Sequence, residues 1–312
     1  MAGESESEVL PGEESSSLPD WMPEGDAWVA VLGYPVTVLV LLFAVPLALL
    51  VAVSFFPKPS GGYYSVGFTL EHYVRAFTTP LYLERLAFTV ALSAGTAFAC
   101  LAVGYPISYT LARMESRRRR QVYITAIVST MWLTYIIRSY AIGVILSKNG
   151  VLNELLTTVG IVSDPVFTSQ GLFPVVLGMT YVFVPFAILT LYSSINNIAP
   201  ELEEASKNLG ANRFQTFRRV IFPLSKRGVY AAWMLVFILA LGAYIVPKIL
   251  GQPAQWTLPV IIGDQVTLQL NVPFGAALAL IMVTVVMAIL ALGYKFLNLG
   301  ARDLSGGGPS GE

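Results

Sequence analysis

Residues 200–223 read PELEEASKNLGANRFQTFRRVIFP, the longest polar stretch that lies between two hydrophobic blocks. The segment reads as two short helices joined at a glycine. Pro200 opens the first, since a first-turn N–H has no intrahelical partner to lose. Glu201, Glu203 and Glu204 then occupy the first turn, where carboxylates meet the positive end of the helix. Gly210 is placed to close that helix in a left-handed C-cap. Asn212 caps the next helix, with Gln215 three residues on in capping-box spacing, and Pro223 is expected to stop it.

The composition around this elbow is that of a membrane protein. Hydrophobic residues make up 55% of the chain and charged residues only 12%, with a mean hydropathy of +0.67. A soluble chain carries about a quarter charged residues. The charges are also segregated into loops, which leaves long apolar runs. The formal net charge of zero hides that segregation. Cys100, the only cysteine, lies in an apolar run and reads as a small buried residue. His72, the only histidine, has no neighbours for a metal site, and no P-loop is present. The chain therefore calls for no cofactor or metal of its own, and any ATP chemistry belongs to another chain.

Residues 1–27 carry eight acids and no Lys or Arg. That excludes a signal peptide and reads as a disordered acidic tail. Six spans are expected in a domain covering 28–300, at about 29–56, 86–112, 122–146, 172–194, 228–250 and 274–298. Each is long enough for a hydrocarbon core of roughly 30 Å. Residues 301–312 are read as a disordered C-terminal tail.

Charge sets the orientation. The flanks at 113–120, 207–227 and 295–302 hold thirteen Lys and Arg residues, all on one side if there are six spans. Lys58, Arg75, Arg85, Lys148 and Lys248 fall on the other side, and Arg138 within a span completes the nineteen. The positive-inside rule puts both termini and the 200–223 elbow in the cytoplasm of a multi-pass cell-membrane protein. The run Arg117–Arg120 is a topology determinant at a lipid surface and not a nucleic-acid site.

Arg138 is the one charge inside an apolar run, in WLTYIIRSYAIGVIL. A charge there faces a cavity or a partner. It either lines a path or anchors structure, bonded to carbonyls or to an acid reaching in from Glu84, Glu154, Asp164 or Asp264. Snorkelling toward the outer end is also open to it. Pro185, in TYVFVPFAILTLYSSI, removes one helix hydrogen bond and is expected to kink its span beside the path. Tyr181 and Tyr192 in that span offer polar tips on apolar bodies, and Tyr135, Tyr140 and Tyr181 set aromatic rings near the outer mouth.

Glu204-Ala205-Ser206, then Gly210, then Val220-Ile221-Phe222-Pro223 resemble the E-A-A-x3-G-x9-I-x-L-P loop of ABC-importer permeases. Ser206, Val220 and Phe222 depart mildly from that pattern, and the spacing is kept. Arg138-Ser139-Tyr140-Ala141, Asn149-Gly150-Val151-Leu152-Asn153, Val184-Pro185-Phe186 and Asn271-x-Pro273-x-Gly275-Ala276-Ala277 are similar to permeases of the spermidine/putrescine subfamily. The likeness runs from about residue 30 to 300. It implies an all-α type I importer permease with six transmembrane helices and a cytoplasmic coupling helix. Glu203, Glu204, Ala205, Ser206, Gly210, Ala211, Phe214 and Pro223 would meet an ATPase. Tyr135, Arg138, Tyr140, Tyr181 and Pro185 would border the translocation path. The implied partners are two ABC ATPase subunits, a second related permease and an extracytoplasmic solute-binding protein.

The resemblance favours a polyamine as solute, although related permeases carry ferric iron, thiamine and sulfonates. A polycation path wants carboxylates or aromatic faces, and the intramembrane charge here is positive. An ion-coupled secondary transporter would want mid-membrane acids, which are missing. A membrane enzyme would need a nucleophile–base pair or a ligand cluster, and none is visible.

Overall fold

The computed structural model describes residues 27–59, 64–162 and 164–305, and all regular structure among them is helical. Most of the acidic tail expected at 1–27 lies outside the described residues. Helix α1 (Ala27–Ser54) continues through Pro35 and Pro46 without a break. Up to Leu50 it belongs to a compact unit of its own.

The second unit, from residue 51 onward, is built on three long helices. These are α3 (Pro80–Ala112), α7 (Leu172–Asn196) and a continuous rod over Arg213–Leu241. A short α2 (Glu71–Thr78) precedes α3. Their shared core includes Ala97, Met179, Val182, Ala187, Val236 and Ala240, all fully buried. The small residues allow close approach. At Gly228, an added Cβ would collide with the Ser194 side chain, as expected where helices associate in lipid by backbone proximity. The outward faces stay apolar and exposed, with Phe98, Val103 and Leu177 among them, as suits side chains that meet acyl chains.

The expected third span is not one helix. It is divided into α4 (Arg117–Thr130) and α5 (Tyr135–Ile145), bent by 93° at Met131–Thr134. Thr134 caps α5 by accepting from the Ile137 N–H. The freed Leu133 carbonyl accepts from Arg138 Nε at 3.1 Å and Nη2 at 2.9 Å. Backbone groups in lipid must find partners inside the protein, and Arg138 supplies them at this break.

The fifth span also differs from expectation. Helix α9 (Arg213–Thr216), a π turn (Phe217–Ile221) and α10 (Phe222–Leu241) run on as one rod, so Pro223 does not end the helix. The π turn sends the Phe222 N–H to the Phe217 carbonyl. That shift leaves Pro223 in the first turn of α10, where a missing N–H costs little. The rod ends at Leu241, short of the expected 250, and α11 (Ile245–Leu250) follows after a break. Helices α6 (Val151–Thr158) and α12 (Leu258–Thr267) lie in segments read as loops. The last helix, α13 (Val272–Ser305), passes the expected boundary at 300.

The two ends of the second unit are distinct. Arg113, just past the end of α3, pairs with Glu203, just beyond α7, so those two helix ends share a face. Toward the start of α3, Arg85 donates to the Ala254 carbonyl, and the Leu258 N–H donates to Thr89 Oγ1 at 2.8 Å. Nearby, Lys248 Nζ meets Asp264 Oδ1 at 2.8 Å and lies 4.1 Å from the Trp256 ring centre. The chain leaves one face at 113 and returns to it by 203. Helix α7 accounts for one crossing, so the bent α4–α5 pair makes the other. Among the described residues five helices are long and apolar enough to cross a membrane, or six with this bent pair taken as one span.

Candidate functional site

The 200–223 elbow is built locally much as its residues dictate. Helix α8 (Glu201–Asn208) carries Glu201, Glu203 and Glu204 in its first turn, with Pro200 one position outside as the N-cap. Its end is a Schellman closure. The Gly210 N–H reaches the Lys207 carbonyl at 2.9 Å, and the Ala211 N–H reaches Ser206 at 3.1 Å. Gly210 has φ of +85°, the left-handed conformation that side chains with a Cβ resist. The Asn212/Gln215 capping box is complete, with bonds of 2.8 and 3.0 Å. Ser206 Oγ lies 3.1 Å from Thr216 Oγ1 and ties α8 to α9.

The elbow has two unlike faces. Outward, Leu209 is 90% exposed and Phe214 69% exposed, with Leu202 also uncovered. A shallow groove of about 470 Å³ is lined by Leu202 and Leu209 together with Ala205, Ser206, Gly210 and Ala211. Glu204 is exposed as well. Inward, Glu203 is the one expected coupling residue that is buried, at 6% exposure. Its carboxylate accepts from Tyr109 Oη at 2.9 Å and from Arg113 Nε. Arg113 Nη2 is also buried and has no partner among the described residues. A cavity of about 630 Å³ opens beside the pair, bordered by Arg120, Lys207 and Arg213.

The two charges sit where helix ends favour them, a cation at the C-terminus of α3 and an anion at the N-terminus of α8. Removing one partner of a buried ion pair costs on the order of 3 kcal/mol. The figure is lower here because the Arg113 side chain keeps 17% exposure. Sequence reading counted Arg113 only as a topology charge and passed over Tyr109. Their four-residue spacing, which stacks both on one helix face, was the available signal.

The expected path residues fall into two groups. Tyr135 and Arg138 come together where α5 meets α7 at Val182 and Phe183, about one turn before Pro185. Arg138 is 2% exposed, and its Nη1 donates to the Val182 carbonyl at 3.2 Å. Its guanidinium carbon stands 5.9 Å from the Tyr135 ring centre, and that ring meets Phe183 edge-on at 6.3 Å. Helix α7 runs unbroken through Pro185, whose missing N–H leaves the Tyr181 carbonyl without its usual donor. No loop acid reaches Arg138, and Asp264 is engaged by Lys248 instead. Tyr140 and Tyr181 stand apart and exposed, Tyr140 at the rim of a hollow of about 240 Å³ with Gly143 and Leu250. Among the described residues there is no group of three potential metal ligands.

Residues 104–302 match the family described as binding-protein-dependent transport system inner membrane component. The chain is 33% identical to the spermidine/putrescine transport system permease protein PotB of Haemophilus influenzae, over 83% of this chain and 90% of that one. PotB of Escherichia coli strain K12 is also 33% identical, over 85% and 94%. Among solved structures, one chain of a bacterial alginate ABC transporter, crystallised with alginate pentasaccharide-bound periplasmic protein, superposes with a TM-score of 0.69. Its identity is 16%, over 91% of this chain and 97% of that one. A chain of the MetNI methionine ABC transporter in an inward-facing conformation gives 0.54 at 20% identity, over 71% and 98%. At these identities the structural likeness speaks for the fold alone.

Proposed function

Because this chain belongs to the family of binding-protein-dependent transport system inner membrane components, we propose that it forms half of the path of an ATP-driven polyamine importer. It is the permease of a type I ABC importer, and the elbow at 200–223 is its contact with the ATPase. The observation that carries this reading is the exposed apolar tip of Leu202, Leu209 and Phe214 on a doubly capped elbow. An apolar patch on a soluble loop asks for a protein partner. The partners are two ATPase subunits, a second related permease and an extracytoplasmic binding protein. The elbow and both termini face the cytoplasm.

ATP closes the ATPase pair and shifts the elbow. The permease bundle then exchanges inward- and outward-facing states as rigid bodies. The chain moves its solute and performs no chemistry on it. The polyamine assignment rests on the two PotB relatives. Exposed Tyr135, Tyr140 and Tyr181 offer aromatic faces to a cation, and the carboxylates come from the partner permease or the binding protein.

Cells lacking this chain are expected to lose ATP-dependent uptake of labelled spermidine and putrescine and to regain it on complementation. Unchanged uptake in the deletion strain defeats the polyamine assignment. Uptake that survives ATP depletion but collapses with the ion gradient defeats the ATP-driven reading.

A further inference from the structure

We infer that Arg113, Tyr109 and Glu203 form a strut that carries displacement of α8 into α3, so that the elbow acts on a third helix besides α7 and α10, which it joins along the chain. The inference rests on the ATPase-docking reading above. Helix α8 is attached by three routes, the first being the four residues 197–200 that join it to α7. Along the chain it passes through Gly210 and α9 into the π turn at Phe217–Ile221, then into α10. A π turn is a local defect in the helix ladder and a natural place to swivel. Through space, α8 is held by the Glu203 carboxylate on Arg113 Nε and Tyr109 Oη.

The two chain connections alone would pass a push on α8 to α7 and α10 and leave α3 to follow by packing. The contact through Glu203 ties the first turn of α8 directly to the end of α3. The geometry suits the task. Glu203 lies in the first turn of α8, and Gly210 follows its last turn, so this contact and the link to α10 flank the helix. Arg113 is the C-cap residue of α3, so the load enters at that helix's end. Helix α3 packs on α7 through Ala97 and Met179 and also borders α10, so displacement at its end reaches the whole core. Glu203 thereby acts as a positioning residue facing away from the docking surface.

The test uses the full complex in membranes and needs no knowledge of the solute. Glu84, exposed near the outer start of α3, is replaced (Glu84→Cys) in a Cys100→Ala background. Its labelling by a maleimide is compared with and without vanadate-trapped ATP. In the otherwise unaltered chain, trapping is expected to change the labelling rate. Glu203→Gln and Arg113→Glu are expected to abolish that change while the ATPase subunits still co-purify. The reversed pair Arg113→Glu with Glu203→Arg is expected to restore it. Tyr109→Phe, which keeps the ion pair, is expected to weaken the change only partly, and it decides the matter if the charge variants fail to reach the membrane. A response in Glu203→Gln or Arg113→Glu equal to the parent overturns the strut. So does loss of bound ATPase in those variants, a reversed pair that stays silent, or a parent with bound ATPase and no labelling change. A parent that binds no ATPase at all overturns the docking reading instead.

Discussion

Arg138 shows how much one residue can hold together and how little of that its letter reveals. A lone arginine in an apolar run was visible at once as costly. Its partners, the carbonyls of Leu133 and Val182, carry no sequence signature, since every residue owns a carbonyl. The break that exposes the Leu133 carbonyl was equally hidden, because Met131-Trp132-Leu133-Thr134 contains neither glycine nor proline. An unpaired buried carbonyl costs about 1–3 kcal/mol, so Arg138→Leu is expected to lower the thermal midpoint of the detergent-solubilised protein by several degrees. Arg138→Lys is expected to recover only part of that, since an ammonium lacks the fork that reaches both carbonyls. Thermal unfolding monitored by tryptophan fluorescence gives the measure. An Arg138→Leu protein as stable as the parent but dead in uptake would return Arg138 to the translocation path.

At the scale of the element, the elbow was legible where short-range chemistry rules and illegible where the tertiary fold does. Gly210 at positive φ and the Asn212/Gln215 box follow from residues within a few positions of one another. The π turn does not. Pro223 alone predicts a stop, and only the continuation into a buried helix reveals a register shift instead. The inward turn of Glu203 depends on Arg113, ninety positions away, so local spacing could not announce it.

The elbow's own sensitivity is testable at Gly210. A residue with a Cβ in the left-handed region costs roughly 1–2 kcal/mol, most for a β-branched one, while asparagine tolerates the conformation. Gly210→Val is therefore expected to unwind the last turn of α8, scatter Leu209 and Phe214, and reduce ATPase co-purification roughly five- to thirtyfold for a loss of that size. Gly210→Asn is expected to stay within a few-fold of the parent. Equal retention of the ATPase by both variants removes the elbow's conformation from the argument.

For the whole molecule, hydropathy and the segregation of charge carried the membrane class and an approximate span count, because both are summed over many residues. They failed on boundaries set by packing. The continuous rod Arg213–Leu241 reads from sequence as a short helix stopped at Pro223 and a separate span from 228, since Pro223, Lys226 and Arg227 look like a break. Helices α6 and α12, eight and ten residues long, were too short to register. The sidedness rests on a physical asymmetry that can be checked directly. Leu209 at the elbow and Leu268 at the opposite end are both exposed. Basic residues crowd the first end and are sparse at the second, and the positive-inside rule assigns the crowded end to the cytoplasm. In a Cys100→Ala background, Leu268→Cys is expected to react with a membrane-impermeant maleimide in intact spheroplasts. Leu209→Cys should react only after permeabilisation, and less once the ATPase is bound. Labelling of Leu209→Cys from outside would invert the molecule, and no ATPase in the cytoplasm could then reach the elbow.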